Sequence, residues 1–352
     1  MPPKTPARKP TAPPSDPGLL GSLPLTETDR RIISHLQQDG RRTYAAIAQD
    51  IGVTEKTVRT RARALLDQQV IEIVALVSPV ALGYSVSALA AITINSPALG
   101  TQISDALARI DTIDYVVLTN SRYAIFAEII ARDMQELQTT IETQIGAISG
   151  ITGVELFPYF SLHYQQARII DTDSERDGGV RDIELGATDK AIASHLNVDG
   201  RMPFSAVAEQ LGASEGQIRQ RVQAMIENRQ LRIMAILNPL KLLDRTMAWV
   251  AIKVSPDTRL TDVADALAAM PSISYVTICA GRFDIFAEAI TTSQASLLDL
   301  LDREIRPLKG IRDTEVFIYT NLHYKRLLPV HLKNRTGASG DEPVHSFYEA
   351  QP

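Results

Sequence analysis

Between Thr28 and Gln38 the apolar residues Ile32, Ile33 and Leu36 recur at the spacing of a helix buried along one side. Asp39-Gly40 ends that helix. Tyr44–Ile51, with Ala45, Ile47 and Ala48 apolar, predicts a second short helix. Gly52-Val53 predicts a turn, and Thr54–Gln68 a third helix with Thr54 as its cap and Val58 and Leu65 on one face. Val70–Val77 is rich in β-branched residues and predicts a strand, interrupted by Pro79. The pattern then changes to a strand over Ser85–Ile94, an amphipathic helix over Gln102–Ile110 and two strands, Ile113–Thr119 and Tyr123–Ile130. A helix over Met134–Ile145 and a strand over Val154–Tyr164 follow.

The whole pattern occurs twice. Asp29, His35, Asp39-Gly40-Arg41, Pro79, Phe126-Ala-Glu128 and Leu162-His-Tyr164 return as Asp189, His195, Asp199-Gly200-Arg201, Pro239, Phe286-Ala-Glu288 and Leu322-His-Tyr324. The offset is constant at 160, and Leu25–Tyr164 aligns with Leu185–Tyr324 without a gap. This is a tandem duplication of a two-domain unit. The fold class expected is α+β: in each copy a winged-type helix-turn-helix domain precedes a ferredoxin-like β-α-β-β-α-β domain. The expected boundaries are a disordered tail 1–24, helix-turn-helix domains 25–78 and 185–238, ferredoxin-like domains 79–164 and 239–328, a polar linker 165–184 and a tail 329–352. A sheet with helices on one side needs a cover on the other, and a second copy of the same domain is the natural one.

Composition narrows the function. The chain has 352 residues, 45% hydrophobic and 22% charged, with a net charge of −5. A mildly acidic total does not exclude a local basic patch. The single cysteine, Cys279, excludes an intrachain disulfide framework and a cysteine-based zinc cluster, and suits a reducing cytoplasm. No apolar run reaches the roughly 18 residues of a membrane span, and the first residues lack the apolar core of a signal peptide. The expectation is a cytoplasmic protein with no membrane partner. His163 and His323 close the last strands without a nucleophile motif or ligand cluster beside them, so no catalytic residue, metal site or cofactor is assigned. His35 and His195 read as structural.

A capped helix after a glycine turn, with a cationic outer face, suits the reading helix of a helix-turn-helix. In copy one Thr54, Lys56, Thr57, Arg59, Thr60, Arg61 and Arg63 are the candidate contacts to double-stranded DNA. In copy two they are Ser214, Gln217, Arg219, Gln220 and Arg221. The first helix sets four cations against Glu55; the second sets two against Glu215 and carries Gly216, which costs about 1 kcal/mol relative to Ala in a helix. Copy one is therefore expected to bind DNA more tightly. A second candidate site is the turn Cys279-Ala-Gly-Arg-Phe-Asp284, where Gly281 permits close approach and Asp284 suits an ammonium group. Copy one has Ser121 and Ala124 at those positions.

The entry Leu25-Thr-Glu-Thr-Asp-Arg-Arg-Ile-Ile, the Asp39-Gly40-Arg41 turn, Ala48-Gln-Asp-Ile-Gly-Val-Thr and Gly281-Arg-Phe-Asp together resemble the Lrp/AsnC family of leucine-responsive, feast/famine transcription regulators. The resemblance covers both copies. It implies a DNA-binding regulator that forms homo-oligomers through its C-terminal domains and senses an amino acid or related small molecule there. It places effector binding near Gly281, Arg282 and Asp284. The chain departs from the family in carrying two copies, which implies a built-in pseudo-dimer, and in lacking the glycine and aspartate of that turn in copy one. The alternative is an enzyme: siroheme decarboxylases resemble this family and occur as fused pairs. They usually carry a histidine segment around the middle strands, where this chain reads Asn120-Ser-Arg-Tyr-Ala-Ile-Phe and Ala280-Gly-Arg-Phe-Asp-Ile-Phe.

Overall fold

Thr26 opens helix α1 (Glu27–Gln38) with a capping box: its hydroxyl accepts the Asp29 N–H, and the Asp29 carboxylate accepts the Thr26 N–H. The computed structural model describes residues 25–165, 180, 183–237 and 245–324. The expected tails at 1–24 and 329–352 and most of the expected linker lie outside them, as do the side chains of His163 and His323. Helices α2 (Tyr44–Ile51) and α3 (Glu55–Asp67) complete a trihelical unit, with Gly52 at φ 73° between them. A Cβ at Gly52 would meet open space, so the left-handed backbone alone selects glycine there. Strand β1 (Ile71–Leu76), a short helix α4 (Pro79–Leu82) and strand β2 (Val86–Ile94) follow. Then come α5 (Gly100–Ala108), β3 (Ile113–Thr119), β4 (Ile125–Ala131), α6 (Met134–Thr139) with a π-helical continuation to Ile145, and β5 (Ile151–Gln165). Among the described residues copy two repeats the series from its first helix to β6 and from β7 to its last strand. Its helical unit is α7 (Ala187–Val198), α8 (Phe204–Leu211) and α9 (Glu215–Glu227), followed by β6 (Arg232–Leu237). Its second unit is β7 (Thr246–Val254), α10 (Leu260–Ala268), β8 (Ile273–Cys279), β9 (Ile285–Thr291), α11 (Gln294–Leu300) and β10 (Ile311–Tyr324).

Among the described residues the two copies are joined in two places. The first joint is between the helical units. β1 and β6 pair antiparallel from Ile71↔Leu237 to Leu76↔Arg232, and both units share one apolar core that includes Ile32, Leu36, Val58, Leu196, Val222 and Ile233. The Asp-Gly-Arg turns lock this joint. Gly40 N–H donates to Ile233 O and Gly200 N–H to Ile73 O, both at 2.8 Å. A Cβ at Gly40 would stand 2.9 Å from the Met234 backbone, and one at Gly200 would stand 2.9 Å from Ile73 O. Arg41 donates to Gly200 O at 2.7 Å and lies over the Phe204 ring at 4.1 Å. Arg201 reciprocates, donating to Gly40 O and Arg42 O at 2.7 Å and lying over the Tyr44 ring at 4.4 Å. Gly200→Ala is expected to cost about 1–3 kcal/mol through overpacking against backbone, read as a lowered denaturation midpoint. An unchanged midpoint would mean that the close approach is dispensable.

The second joint is a closed eight-stranded barrel in the order β10-β3-β4-β2-β5-β8-β9-β7. Each copy contributes a ferredoxin-like sheet, and the long last strands cross over. β5 pairs with β2 as far as Pro158 and with β8 from Tyr159 onward; β10 pairs with β7 as far as Ile318 and with β3 from Tyr319. The crossovers fall at matched register shifts, between Tyr159 and Ser161 and between Tyr319 and Asn321. Helices cover the outer face of each sheet over aliphatic cores. The inner faces meet in an aromatic core containing Phe126, Phe157, Trp249, Phe286 and Phe317. The cover expected for each sheet is thus the other copy within the same chain.

Candidate DNA-reading helices and the seam between copies

α3 and α9 are the third helices of their units. Thr54 caps α3 by accepting the Thr57 N–H at 3.2 Å, and Ser214 caps α9 with a capping box through Gln217. The buried faces are Val58, Ala62 and Leu65 in α3 and Ile218, Val222 and Met225 in α9. The opposite faces carry Lys56, Arg59, Thr60 and Arg63, and Arg219 and Gln220, all exposed. Arg59 pairs with Glu55, Arg63 with Asp67 at 3.6 Å, and Arg219 with Glu215 at 2.6 Å. These exposed i,i+4 pairs are worth about 0.3–0.5 kcal/mol each and are readily exchanged.

Arg61 and Arg221 are placed differently. Arg61 turns inward, with one guanidinium nitrogen 2.9 Å from both oxygens of the Asp29 carboxylate, which is buried. Arg221, itself exposed, meets one oxygen of the half-buried Asp189 at 3.0 Å. These two brace the third helix against the first. His35 sits behind the same unit with its pKa lowered, by burial first and then by Arg42. Burial lowers that of His195 as well.

The turn between β8 and β9 lies on the seam. Ala280 N–H donates to Pro158 O of copy one at 2.9 Å. Gly281, at φ 133°, faces Phe157, where a Cβ would lie 3.0 Å from the ring. Asp284 already holds an ammonium group: Lys253 Nζ donates to it at 2.9 Å, and the Val254 N–H donates to it at 2.8 Å. Copy one has Thr93 and Ala124 in place of Lys253 and Asp284. The arginines of both turns reach across the seam, Arg282 to Glu155 at 3.3 Å and Arg122 to Glu315 at 2.5 Å. Cys279 is buried, which pushes its thiol up to about 12.

Sequence reasoning missed a pair of carboxylates inside the barrel. Glu128 accepts from Tyr159 of its own copy at 2.8 Å and from Tyr275 of the other at 2.5 Å. Glu288 accepts from Tyr319 of its own copy at 2.9 Å, from Tyr115 of the other, and from Ser274. The signal was the recurring Phe-Ala-Glu, which puts a carboxylate in the middle of an apolar strand. Burial raises the Glu128 pKa, against the opposing pull of the Tyr275 and Tyr159 hydroxyls. Burial also raises all four tyrosines well above their usual range. A carboxyl raised on folding adds stability that is complete below its unfolded pKa and is lost as pH rises through the folded one. Glu128→Gln is therefore expected to gain stability relative to the wild type as pH rises from about 5 to about 8. Denaturant unfolding at both pH values measures this, and a constant difference would contradict it.

Comparison with known proteins bears on this arrangement. Residues 25–66 and 185–226 match the AsnC-type helix-turn-helix domain, and 247–327 match the Lrp/AsnC ligand binding domain. An uncharacterized HTH-type transcriptional regulator of Pyrococcus furiosus is 33% identical over 132 residues, which is 37% of this chain and 88% of that protein. The chain belongs to the Lrp/AsnC family. Another member, the HTH-type transcriptional regulator LrpA of Pyrococcus horikoshii, is 30% identical over 131 residues, 37% of this chain and 92% of its own length. One copy here thus corresponds to nearly a whole Lrp/AsnC relative. A solved siroheme decarboxylase in complex with an iron-uroporphyrin III analogue is similar over 84% of this chain and 92% of its own, with a TM-score of 0.58 and 16% identity. That likeness is one of fold. The Lrp/AsnC relatives are named as transcriptional regulators, and no helix among the described residues is long and apolar enough to cross a membrane.

Proposed function

We propose that this transcription regulator works as a one-chain pair of unequal DNA-reading heads. The observation that carries the reading is the asymmetry of two helices held in equivalent positions. α3 presents Lys56, Arg59 and Arg63 where α9 has Gly216, Arg219 and Gln223. In this reading Lys56, Thr57 and Thr60 lie where a reading helix meets base edges, and Arg59 and Arg63 position it on phosphates. On the second head Ser214, Gln217, Arg219 and Gln220 take those parts. Arg61 and Arg221 act through Asp29 and Asp189, by holding the helices at a fixed tilt. Two unlike heads joined in one chain suit an operator with unequal half-sites, and the joint replaces a bimolecular pairing by an intramolecular one.

The effector in this reading is an amino acid or related metabolite bound at Gly281, Arg282 and Asp284 of copy two. Its ammonium group would take the place of Lys253 Nζ on Asp284, and displacing Lys253 next to the seam is the step that would couple binding to the barrel. The test is a mobility shift of the full chain on the DNA upstream of its own gene over a series of salt concentrations, with and without amino acids. Binding that falls steeply with salt supports the reading. Binding absent at low salt, together with decarboxylation of added siroheme, would replace it by the enzymatic one.

A further inference from the structure

Tyr44 opens α2 and Phe204 opens α8, at the same place in the two copies. Both rings are half-buried against the shared core of the helical units. Two arginines meet at each ring. Arg201 of copy two lies over Tyr44 at 4.4 Å, and Arg59 of α3 lies over the same ring at 5.9 Å. Arg41 of copy one lies over Phe204 at 4.1 Å, and Arg219 of α9 lies over it at 5.4 Å. Each ring thus carries one arginine from the Asp-Gly-Arg turn of the other copy and one from the third helix of its own.

The two arginines at each ring are held in different ways. The inner one is fixed by backbone: Arg41 donates to the carbonyls of Gly200 and Met202, and Arg201 to those of Gly40 and Arg42. The outer one, Arg59 or Arg219, is exposed and has a single i,i+4 carboxylate, Glu55 or Glu215, that a phosphate can replace. Like charges gathered at one ring repel. The repulsion is felt at Arg41, whose pKa is lowered by burial first and then by Arg201, and which Arg219 lowers further. Attraction to the ring restrains the outer guanidinium, and an anion bound to its free side relieves the repulsion from the inner one.

We propose that Tyr44 and Phe204 are positioning residues of the two heads, each ring holding the arginine of its own third helix in place for a DNA phosphate. Arg59 and Arg219 make the contact, and the rings act through them. The arginine from the other copy fixes the ring, so each head takes part of its support from across the joint. The proposal rests on the DNA-binding role of α3 and α9. It assigns the effect to the ring and not to the tyrosine hydroxyl, because copy two has phenylalanine at that place.

Double-mutant cycles on the full chain test it, read by anisotropy on a duplex of the DNA upstream of its own gene at low salt. Tyr44→Leu keeps an apolar side chain against the core and removes the ring. It is expected to weaken DNA binding about two- to fivefold, the size of an exposed cation–π contact. Tyr44→Phe keeps the ring and is expected to bind within about 1.5-fold of the wild type. In an Arg59→Ala background Tyr44→Leu is expected to change affinity by less than about 1.5-fold, because the group that the ring positions is gone. Phe204→Leu is expected to behave alike with and without Arg219→Ala. A ring that served packing alone would cost the same in both backgrounds. Such additive losses, or Tyr44→Leu binding as tightly as the wild type, overturn the proposal. A loss in Tyr44→Phe equal to that in Tyr44→Leu also overturns it, assigning the contact to the hydroxyl. A wild type that binds no DNA overturns the DNA-binding role of the helices and the proposal with it, whereas additive losses in a chain that binds DNA overturn the proposal alone.

Discussion

Phe126→Ala is expected to destabilise the protein by about 3–5 kcal/mol, the cost of emptying a fully packed aromatic site. Phe126 is fully buried in the barrel, and its ring lies 4.8 Å from Phe317, 5.7 Å from Tyr123 and 6.1 Å from Phe286. Two of those partners belong to the other copy, so the cavity opens on the seam itself. The loss is a large part of the roughly 5–15 kcal/mol that holds a domain folded. The single tryptophan, Trp249, provides the readout: its ring is 6.2 Å from Tyr115 of copy one and 6.1 Å from Phe286. Its fluorescence in denaturant is expected to shift to a much lower midpoint in the variant. A loss below about 1 kcal/mol would mean that the barrel repacks around the gap, and that the aromatic core is not what joins the copies.

Lys56→Ala, Arg59→Ala and Arg63→Ala combined are expected to remove most of the DNA affinity while leaving the fold intact. Each cation removed from a DNA phosphate lowers the slope of log affinity against log salt by about 0.9, so the loss of Arg59 and Arg63 should lower the slope of the triple variant by about 1.8, while the loss of Lys56 removes a contact to base edges. The partners of the two arginines are exposed Glu55 and Asp67, so folding stability should change by less than about 1 kcal/mol. On the second head Arg219→Ala removes one outward cation and is expected to change the slope by about 0.9. Anisotropy titrations at several salt concentrations compare the two. Equal losses of affinity and slope would contradict the ranking of the heads.

Much of the architecture was legible in the chain. The constant offset between Asp29 and Asp189, or Glu128 and Glu288, exposes the duplication, and the helix and strand periods place the elements within a few residues. The Asp-Gly-Arg turns were legible as turns but not as the device that joins the helical units, because Gly40 and Gly200 are selected by backbone from the other copy. The barrel illustrates the same limit. An alternating strand such as Val154–Tyr164 shows that it has an inner face, but its change of partner at Tyr159 depends on residues more than a hundred positions away. At the candidate sites, charge counting grouped Arg61 with Arg59 and Arg63. Only the fold brings Asp29 beneath Arg61, 32 positions earlier, and turns that arginine inward. Asp284 was legible as an ammonium acceptor, and the ammonium group it holds is Lys253.

The central claim is that one chain carries two unlike reading heads fixed in one particle. Selection of binding sites by the full-length chain from a random DNA library tests it most directly. The account predicts enriched sites with two different half-sites in a fixed order and spacing, bound by one chain per duplex. Enrichment of perfect palindromes alone would contradict it.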